Sequence, residues 1–232
     1  MTYTPFYIDL SGKKAVVIGG GSIGGHRARL YSEAGARVVI MAEELGKEAS
    51  ELVSQGKAIF IKARLPGDMA KVEDELQDAF IVTIALPDEE LAKSIASLAK
   101  SRGVLVNSAV DARLGDVIIP FQADAGGLRV AVTSLGATGL AARIATEKIK
   151  NLLDNDLELR TIYEATARLK KCLKARVPSS RLRMPVYFAV IDDREFREYA
   201  MRGDLERALD RARSIALEVL RERGYEGVLD CI

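Results

Sequence analysis

The chain has 232 residues, enough for one large domain or for a medium domain with smaller attachments. Hydrophobic residues make up 48% and charged residues 29%, an ordinary globular composition, and a formal net charge of +1 argues against nucleic acid as the main partner. No apolar run reaches the ~20 residues of a membrane span, and the N-terminal MTYTPFYIDLSGKK lacks the basic-then-apolar layout of a secretion signal, so no membrane attachment is expected.

The first element is AVVIGG, a short β-branched apolar run ending in glycine. ARVVIM, KAIFIK, AFIVTIAL and GVLVNSAV repeat that form. Continuous apolar strands indicate a sheet buried on both faces, and hence a parallel one. Charged segments of helical pattern separate them, at 23–34, 43–55, 68–77 and 88–102. The last, PDEELAKSIASLAKSRG, opens with acids and closes with Lys, Arg and Gly, which suits both ends of a helix dipole. This alternation predicts a doubly wound α/β domain of Rossmann type over residues 1–112.

The alternation then stops. DVIIPFQADAGGLRVAVTSLG reads as two strands around a Gly-Gly turn, and ATGLAARIATEKIKNLL as a helix. Together they form a small module over 113–153. From 154 to 232 the pattern is helical: LELRTIYEATARLKKCLKA and DLERALDRARSIALEVLRERG carry apolar residues at i, i+3, i+4 spacing. RVPSSRLRMP is expected between them as a basic, proline-bounded connector.

The glycines after the first strand fit G-x-G-x-x-G at Gly19, Gly21 and Gly24. The first makes the tight turn, the second lets a pyrophosphate approach the backbone, and the third brings helix and strand together. The exposed amides at the start of the following helix would hold the anion. Glu43 and Glu44 follow the next strand, near the ~20-residue offset at which an acid binds the adenosine ribose. No arginine adjoins them, so NAD is expected rather than NADP.

His26 is the only histidine in the chain, and it reads as a helix-surface or packing residue. A His-based triad or a His-rich metal site is therefore not expected, and no metal ligands are assigned. Cys172 and Cys231 lie far apart without metal or CxxC spacing, and read as two reduced thiols of a cytoplasmic protein. Asn107, Ser108 and Asp111 follow the fifth strand, at the sheet end where ligands bind. Asp111 suits a general base and equally a turn former or helix cap, with Asp116 as its competitor. Thr133, Ser134 and Thr138 form a polar turn before a helix. They read either as its cap or as hydroxyls facing an anionic substrate.

Four segments in order resemble the precorrin-2 dehydrogenase and sirohydrochlorin ferrochelatase family, the dehydrogenase module of sirohaem synthesis. They are TPFYIDLSGKKAVVIGGG, GGGSIGGHRARLYSEAGARVVIMAEE, VLVNSAVDARLGDVIIP and LRVAVTSLGATGLAARIATEKI, which cover about residues 3–150. The helical tail is similar too, less specifically. Three departures stand out. Asp111 follows Asn107 by four residues where the family pattern has three, and Gly139 stands where the family turn has proline, with Leu135-Gly136 in place of a glycine pair.

The resemblance implies NAD-dependent oxidation of precorrin-2 to sirohydrochlorin, with ferrous iron insertion left open as a second activity. It implies that Ser22, Ile23, Glu43 and Glu44 contact NAD, that Asp111 is the catalytic carboxylate, and that Ser134 lies near the tetrapyrrole. Asn107 and Arg143 join the expected substrate contacts; Arg113, Arg176, Arg181 and Arg183 are further cations for an anionic substrate. A homodimer built through the middle module is also implied. Nothing resembles a methyltransferase module, so the methylations that make the substrate are expected elsewhere. Two other readings compete: a NAD-binding regulatory or redox-sensing protein without catalysis, and a dehydrogenase of another small metabolite.

Overall fold

The computed structural model describes residues 3–225 together with 227, 229 and 231. It divides into two units: 1–119 with 135–137, and 120–134 with 138–232.

In the first unit strands and helices alternate without exception. They are β1 (Lys14–Ile18), α1 (Ser22–Glu33), β2 (Arg37–Ala42), α2 (Lys47–Ser54), β3 (Ala58–Lys62), α3 (Met69–Leu76), β4 (Ile81–Ile84), α4 (Glu89–Ser101) and β5 (Leu105–Ser108). The five strands are parallel, in the order β3-β2-β1-β4-β5. Both faces are covered, as the unbroken apolar runs require. Val16 and Ile18 join Val39, Met41, Val82 and Ile84 on one face. Ala15 and Val17 join Val38, Ile40 and Ile81 on the other. The chain reverses its direction of build between β1 and β4, and in such sheets ligands bind outside the carboxyl ends at that switch point. α4 bears out its dipole pattern: Asp88 caps it by accepting from the Leu91 N–H at 2.9 Å, with Glu89 and Glu90 in the first turn and Lys100 in the last.

The expected first boundary at 112/113 falls earlier than the observed division at 119/120. Val117 and Ile119 pack on the sheet beside Leu10, Phe80 and Leu105, which keeps this stretch with the first unit.

The second unit opens with the hairpin β6 (Phe121–Ala125) and β7 (Leu128–Val132), antiparallel, with Ala125 opposite Leu128. Gly126 and Gly127 both have positive φ, 57° and 84°, the backbone that a two-residue hairpin turn of matching twist demands. Five helices follow: α5 (Gly139–Asn155), α6 (Leu157–Arg176), α7 (Ser180–Asp192), α8 (Arg194–Met201) and α9 (Leu205–Arg221). Leu169, Leu173, Val186, Val190, Phe196, Ala212 and Leu220 form the core of the last four. Aspartates at 156, 193 and 204 cap α6, α8 and α9.

Two expectations are corrected here. RVPSSRLRMP is not a connector throughout: α7 starts inside it and carries Pro185 within the helix. Arg183 is spent locally, donating to the carbonyls of Val177 and Pro178 at the approach to α7. Cys172 and Cys231 are not two thiols but a disulfide, joining buried Cys172 of α6 to exposed Cys231 across 59 residues. Separation along the chain gave no sign of that proximity. The pairing also removes the cysteines as an argument for a reducing compartment. Among the described residues, no helix is long and apolar enough to cross a membrane.

Candidate active site

The glycine loop at the end of β1 is built by close backbone approach. Gly19 donates its N–H to the Met41 carbonyl at 2.8 Å and holds φ at 118°, where a Cβ would strike the Ala85 carbonyl. A Cβ on Gly24 would strike the Gly19 carbonyl, so Gly24 brings α1 down on the loop as expected. Gly20, unassigned by the motif, proves equally necessary. A Cβ there would strike the Glu44 carbonyl, and its own carbonyl accepts from Gly46 N–H at 2.8 Å. The run of three consecutive glycines was the available signal.

Gly21 is different. It precedes α1, and a Cβ added to it meets nothing within 4 Å. The first turn of α1 holds no acid, and no side chain caps its amides. Amides left uncapped at a helix start, beside a glycine whose bareness serves no internal packing, fit a pyrophosphate. Ser22 and Ile23 are exposed there, and Ile23 offers an apolar contact. The loop therefore fits a dinucleotide.

Glu43 and Glu44 lie exposed just beyond β2. The expectation that no arginine stands near them is corrected. Arg64, two residues beyond β3, places Nε 3.7 Å from Glu43 Oε1. Parallel pairing of β2 with β3 brings the two strand ends together across some twenty residues of chain.

A buried polar chain braces the carboxyl end of β5. Tyr31 of α1 shares a 2.7 Å hydrogen bond with the Thr83 hydroxyl of β4. Thr83 lies 3.2 Å from Asn107 Oδ1, and Asn107 donates its Nδ2 to the Val117 carbonyl at 3.0 Å. Burial pushes the Tyr31 phenol up to about 12, so it stays neutral. Asn107, expected to touch substrate, is thus buried and bonded within the protein. Sequence reading missed Thr83 and Tyr31, since neither belongs to a motif.

Asp111 lies three residues beyond β5. Its N–H donates to Ser108 Oγ at 3.1 Å, and its carboxylate caps a short 3-10 turn (Ala112–Leu114) by accepting from the Arg113 N–H at 2.8 Å. The Arg113 guanidinium grips the same carboxylate, with Nε 3.0 Å from both oxygens and Nη2 2.8 Å from Oδ2. These bonds, the guanidinium first, hold the Asp111 carboxyl below the usual carboxylate range. Asp111 and Arg113 line a cleft of about 410 Å³ with Tyr3, Val110, Leu135 and Gly136. Leu135 is exposed and holds φ at 56°, a left-handed conformation that costs a leucine about 1 kcal/mol or more. It offers this cleft an apolar wall where the family pattern has glycine.

The competitor Asp116 is committed elsewhere. It accepts from the Val106 N–H at 3.2 Å and pairs with Lys100 in the last turn of α4. His26 is exposed on α1. Arg27, also unassigned by sequence, is half-buried, and its Nε has no hydrogen-bond partner among the described residues. In the second unit, Ser134 Oγ accepts from the Thr138 N–H and donates to the Thr138 carbonyl, both at 2.8 Å, which closes the turn ahead of α5. Arg143 is exposed on α5, 3.2 Å from Glu147. Among the described residues, no group of three or more His, Cys, Asp or Glu side chains is arranged to hold a metal ion.

Residues 6–121 match a family described as "Putative NAD(P)-binding". A siroheme synthase of Mannheimia succiniciproducens is 34% identical over 157 residues, which cover 68% of this chain and 32% of that protein. A precorrin-2 dehydrogenase of Methanosarcina barkeri is 27% identical over 191 residues, 82% of this chain and 83% of that one. The solved structure "SirC, precorrin-2 dehydrogenase" superposes with a TM-score of 0.63 at 23% identity, covering 95% of this chain and all of that one, so the fold is shared. The chain spans about a third to under half the length of the siroheme synthases it matches. It belongs to this NAD(P)-binding family, as a relative of the siroheme synthases and precorrin-2 dehydrogenase.

Proposed function

We propose that the protein is an NAD-dependent precorrin-2 dehydrogenase, oxidising precorrin-2 to sirohydrochlorin in sirohaem biosynthesis. The observation that carries this reading is the carboxylate of Asp111. It lies in a cleft just beyond the last parallel strand of the sheet whose first strand ends in the glycine loop. The extent of likeness to the Methanosarcina precorrin-2 dehydrogenase supports it.

The reaction removes one hydride and one proton from the macrocycle; bound NAD⁺ supplies the hydride acceptor. The chain supplies the rest. Gly21, Ser22 and Ile23 would hold the pyrophosphate on a turn that Gly19 and Gly24 shape, and Glu43 and Glu44 would take the adenosine ribose hydroxyls. Two acids against the single Arg64 keep the preference for NAD over NADP. One Asp111 oxygen takes the proton. Leu135 presents an apolar surface to the macrocycle, and Asn107 acts by fixing the end of β5.

The same reading includes a homodimer. Phe121 and Leu128 of the hairpin and Leu140, Ile144 and Leu152 of α5 are exposed, and an isolated two-stranded hairpin is marginal in water. A second copy is a common cover for such a face. A cytoplasmic location accompanies a soluble dinucleotide cofactor. Thiol counting on protein from freshly broken cells checks it against the Cys172–Cys231 bond.

The test is an anaerobic assay with precorrin-2 and NAD⁺, following the tetrapyrrole absorption spectrum. Conversion to the sirohydrochlorin spectrum with matching NADH supports the reading. Tight NAD(H) binding without turnover would replace it with a cofactor-sensing protein.

A further inference from the structure

In the first unit, among the described residues, the hydrogen bonds to the Asp111 carboxylate come from Arg113. Arg113 supplies a backbone N–H, Nε and Nη2 to the two carboxylate oxygens. A carboxylate has about four lone-pair sites, so most of its accepting capacity is taken. A base so held is poorly available. A proton taken up there competes with charge-assisted bonds to the same two oxygens. Yet the side chain that holds it is the more exposed partner: Arg113 is 81% exposed at its side chain, and Asp111 26%. Both line the same cleft. The general-base candidate is therefore held by a long, exposed cation that lines the same cleft.

We propose that Arg113 is a positioning residue for Asp111: it clamps the carboxylate in the resting site, then exchanges it for a carboxylate of the anionic substrate, which frees Asp111 to take the proton. This rests on the dehydrogenase reading above. The exchange conserves charge pairing, because one carboxylate replaces another on the same fork, and the bidentate geometry of Arg suits either. In the step that follows, an Asp111 oxygen forms the O–H bond as the substrate's bond to that proton breaks. That electron pair stays in the macrocycle, and the hydride leaves to NAD⁺. Coupling release to substrate keeps the base committed until a partner of the right charge arrives.

Other charges reach this cleft. Lys93 of α4 acts on Asp111 in the same sense as Arg113, and Glu89 of α4 acts on Arg113. The Tyr3 hydroxyl lines the wall and donates to the Ala112 carbonyl at 3.3 Å. The guanidinium is the largest influence on the carboxyl, ahead of the backbone N–H and of Lys93. In the free enzyme, removing it raises the Asp111 pKa, so the acid limb of the profile moves to higher pH.

The experiment measures kcat, KM and the pH dependence of kcat/KM with precorrin-2 and NAD⁺. It compares wild type, Arg113→Gln, Arg113→Lys and Asp111→Asn as full-length chains, with NAD affinity as the check on folding. Arg113→Gln is expected to bind NAD normally, to raise KM for precorrin-2 by about tenfold or more, and to shift the acid limb upward. Arg113→Lys, a point charge without the fork, should recover part of both. If Arg113→Gln leaves KM and the acid limb unchanged while Asp111→Asn is inactive, the base stands and the clamp is overturned. If Asp111→Asn keeps its turnover, the base assignment fails and the clamp fails with it. Should Arg113→Gln not bind NAD, the comparison of wild type with Arg113→Lys decides: an unmoved limb and KM overturn the proposal.

Discussion

The ends of β1 and β5 lie in one sheet and are built from different materials. The β1 end is backbone: Gly19, Gly20 and Gly24 exist so that main chain can touch main chain, and only Gly21 leaves its Cβ position open. The β5 end is side chains committed to one another: Tyr31, Thr83 and Asn107 beneath, Asp111 and Arg113 above. Where backbone touches backbone, at Gly19, Gly20 and Gly24, no added atom is tolerated. A side-chain site can exchange partners. The first suits holding a cofactor, and the second suits moving a proton.

The largest expected effect separates the two ends most sharply. Asp111→Asn keeps the shape but cannot take a proton at neutral pH. Turnover should fall ~10²–10⁴-fold, with NAD affinity nearly unchanged in a direct titration. A parallel loss of NAD binding would mean that the ends are not separable. His26→Gln should lose much less, since no proton transfer is assigned to it.

Within the β1 end, the glycines should divide. Gly21→Ala has room for its methyl and should fold normally, yet bind NAD about tenfold or more weakly, because the methyl occupies the pyrophosphate's approach. In Gly24→Val the collision of the Cβ with the Gly19 carbonyl makes a folding lesion, of about 1–3 kcal/mol or more by thermal denaturation. A stable Gly24→Val, or a Gly21→Ala with wild-type affinity, breaks the distinction between them.

Cofactor choice gives a smaller effect. A 2′-phosphate placed near Glu43 and Glu44 meets like charge, worth about 1 kcal/mol per charge at 4 Å in water. NAD should therefore bind better than NADP by about tenfold, and Arg64→Glu should widen that gap in competitive titrations. Tighter NADP binding would mean that Arg64, and not Glu43, governs this strand end. Smallest is the wall of the β5 cleft. Leu135→Gly should relieve the positive φ and change stability by no more than about 1 kcal/mol, since glycine's own entropy offsets the gain. If the leucine serves the macrocycle, KM for precorrin-2 rises while NAD affinity stays put.

The same contrast explains what could be read from the chain. The five strands and the glycine loop were legible, because apolar runs and bare backbone leave their mark locally in sequence. The Gly-Gly hairpin was legible for the same reason. Arg64 beside Glu43 was not: only the β2–β3 pairing joins them. Nor was the Tyr31–Thr83–Asn107 chain, whose members come from three elements and look like ordinary polar residues. Asp111 could be located but not its partner, since whether Arg113 turns toward it depends on the 3-10 turn that Asp111 caps and Arg113 sits in. Cys172 and Cys231 meet only because the last helices fold back and seat Leu229 in the helical core. Pro185 marked a connector in the sequence, yet the helix runs through it.

The most direct measurement is an anaerobic single-turnover experiment with wild-type protein, precorrin-2 and NAD⁺ at saturating concentrations, reading NADH and the tetrapyrrole spectrum together. The account predicts one NADH for each sirohydrochlorin formed. NAD⁺ bound with full occupancy, precorrin-2 present, and no NADH appearing would contradict it.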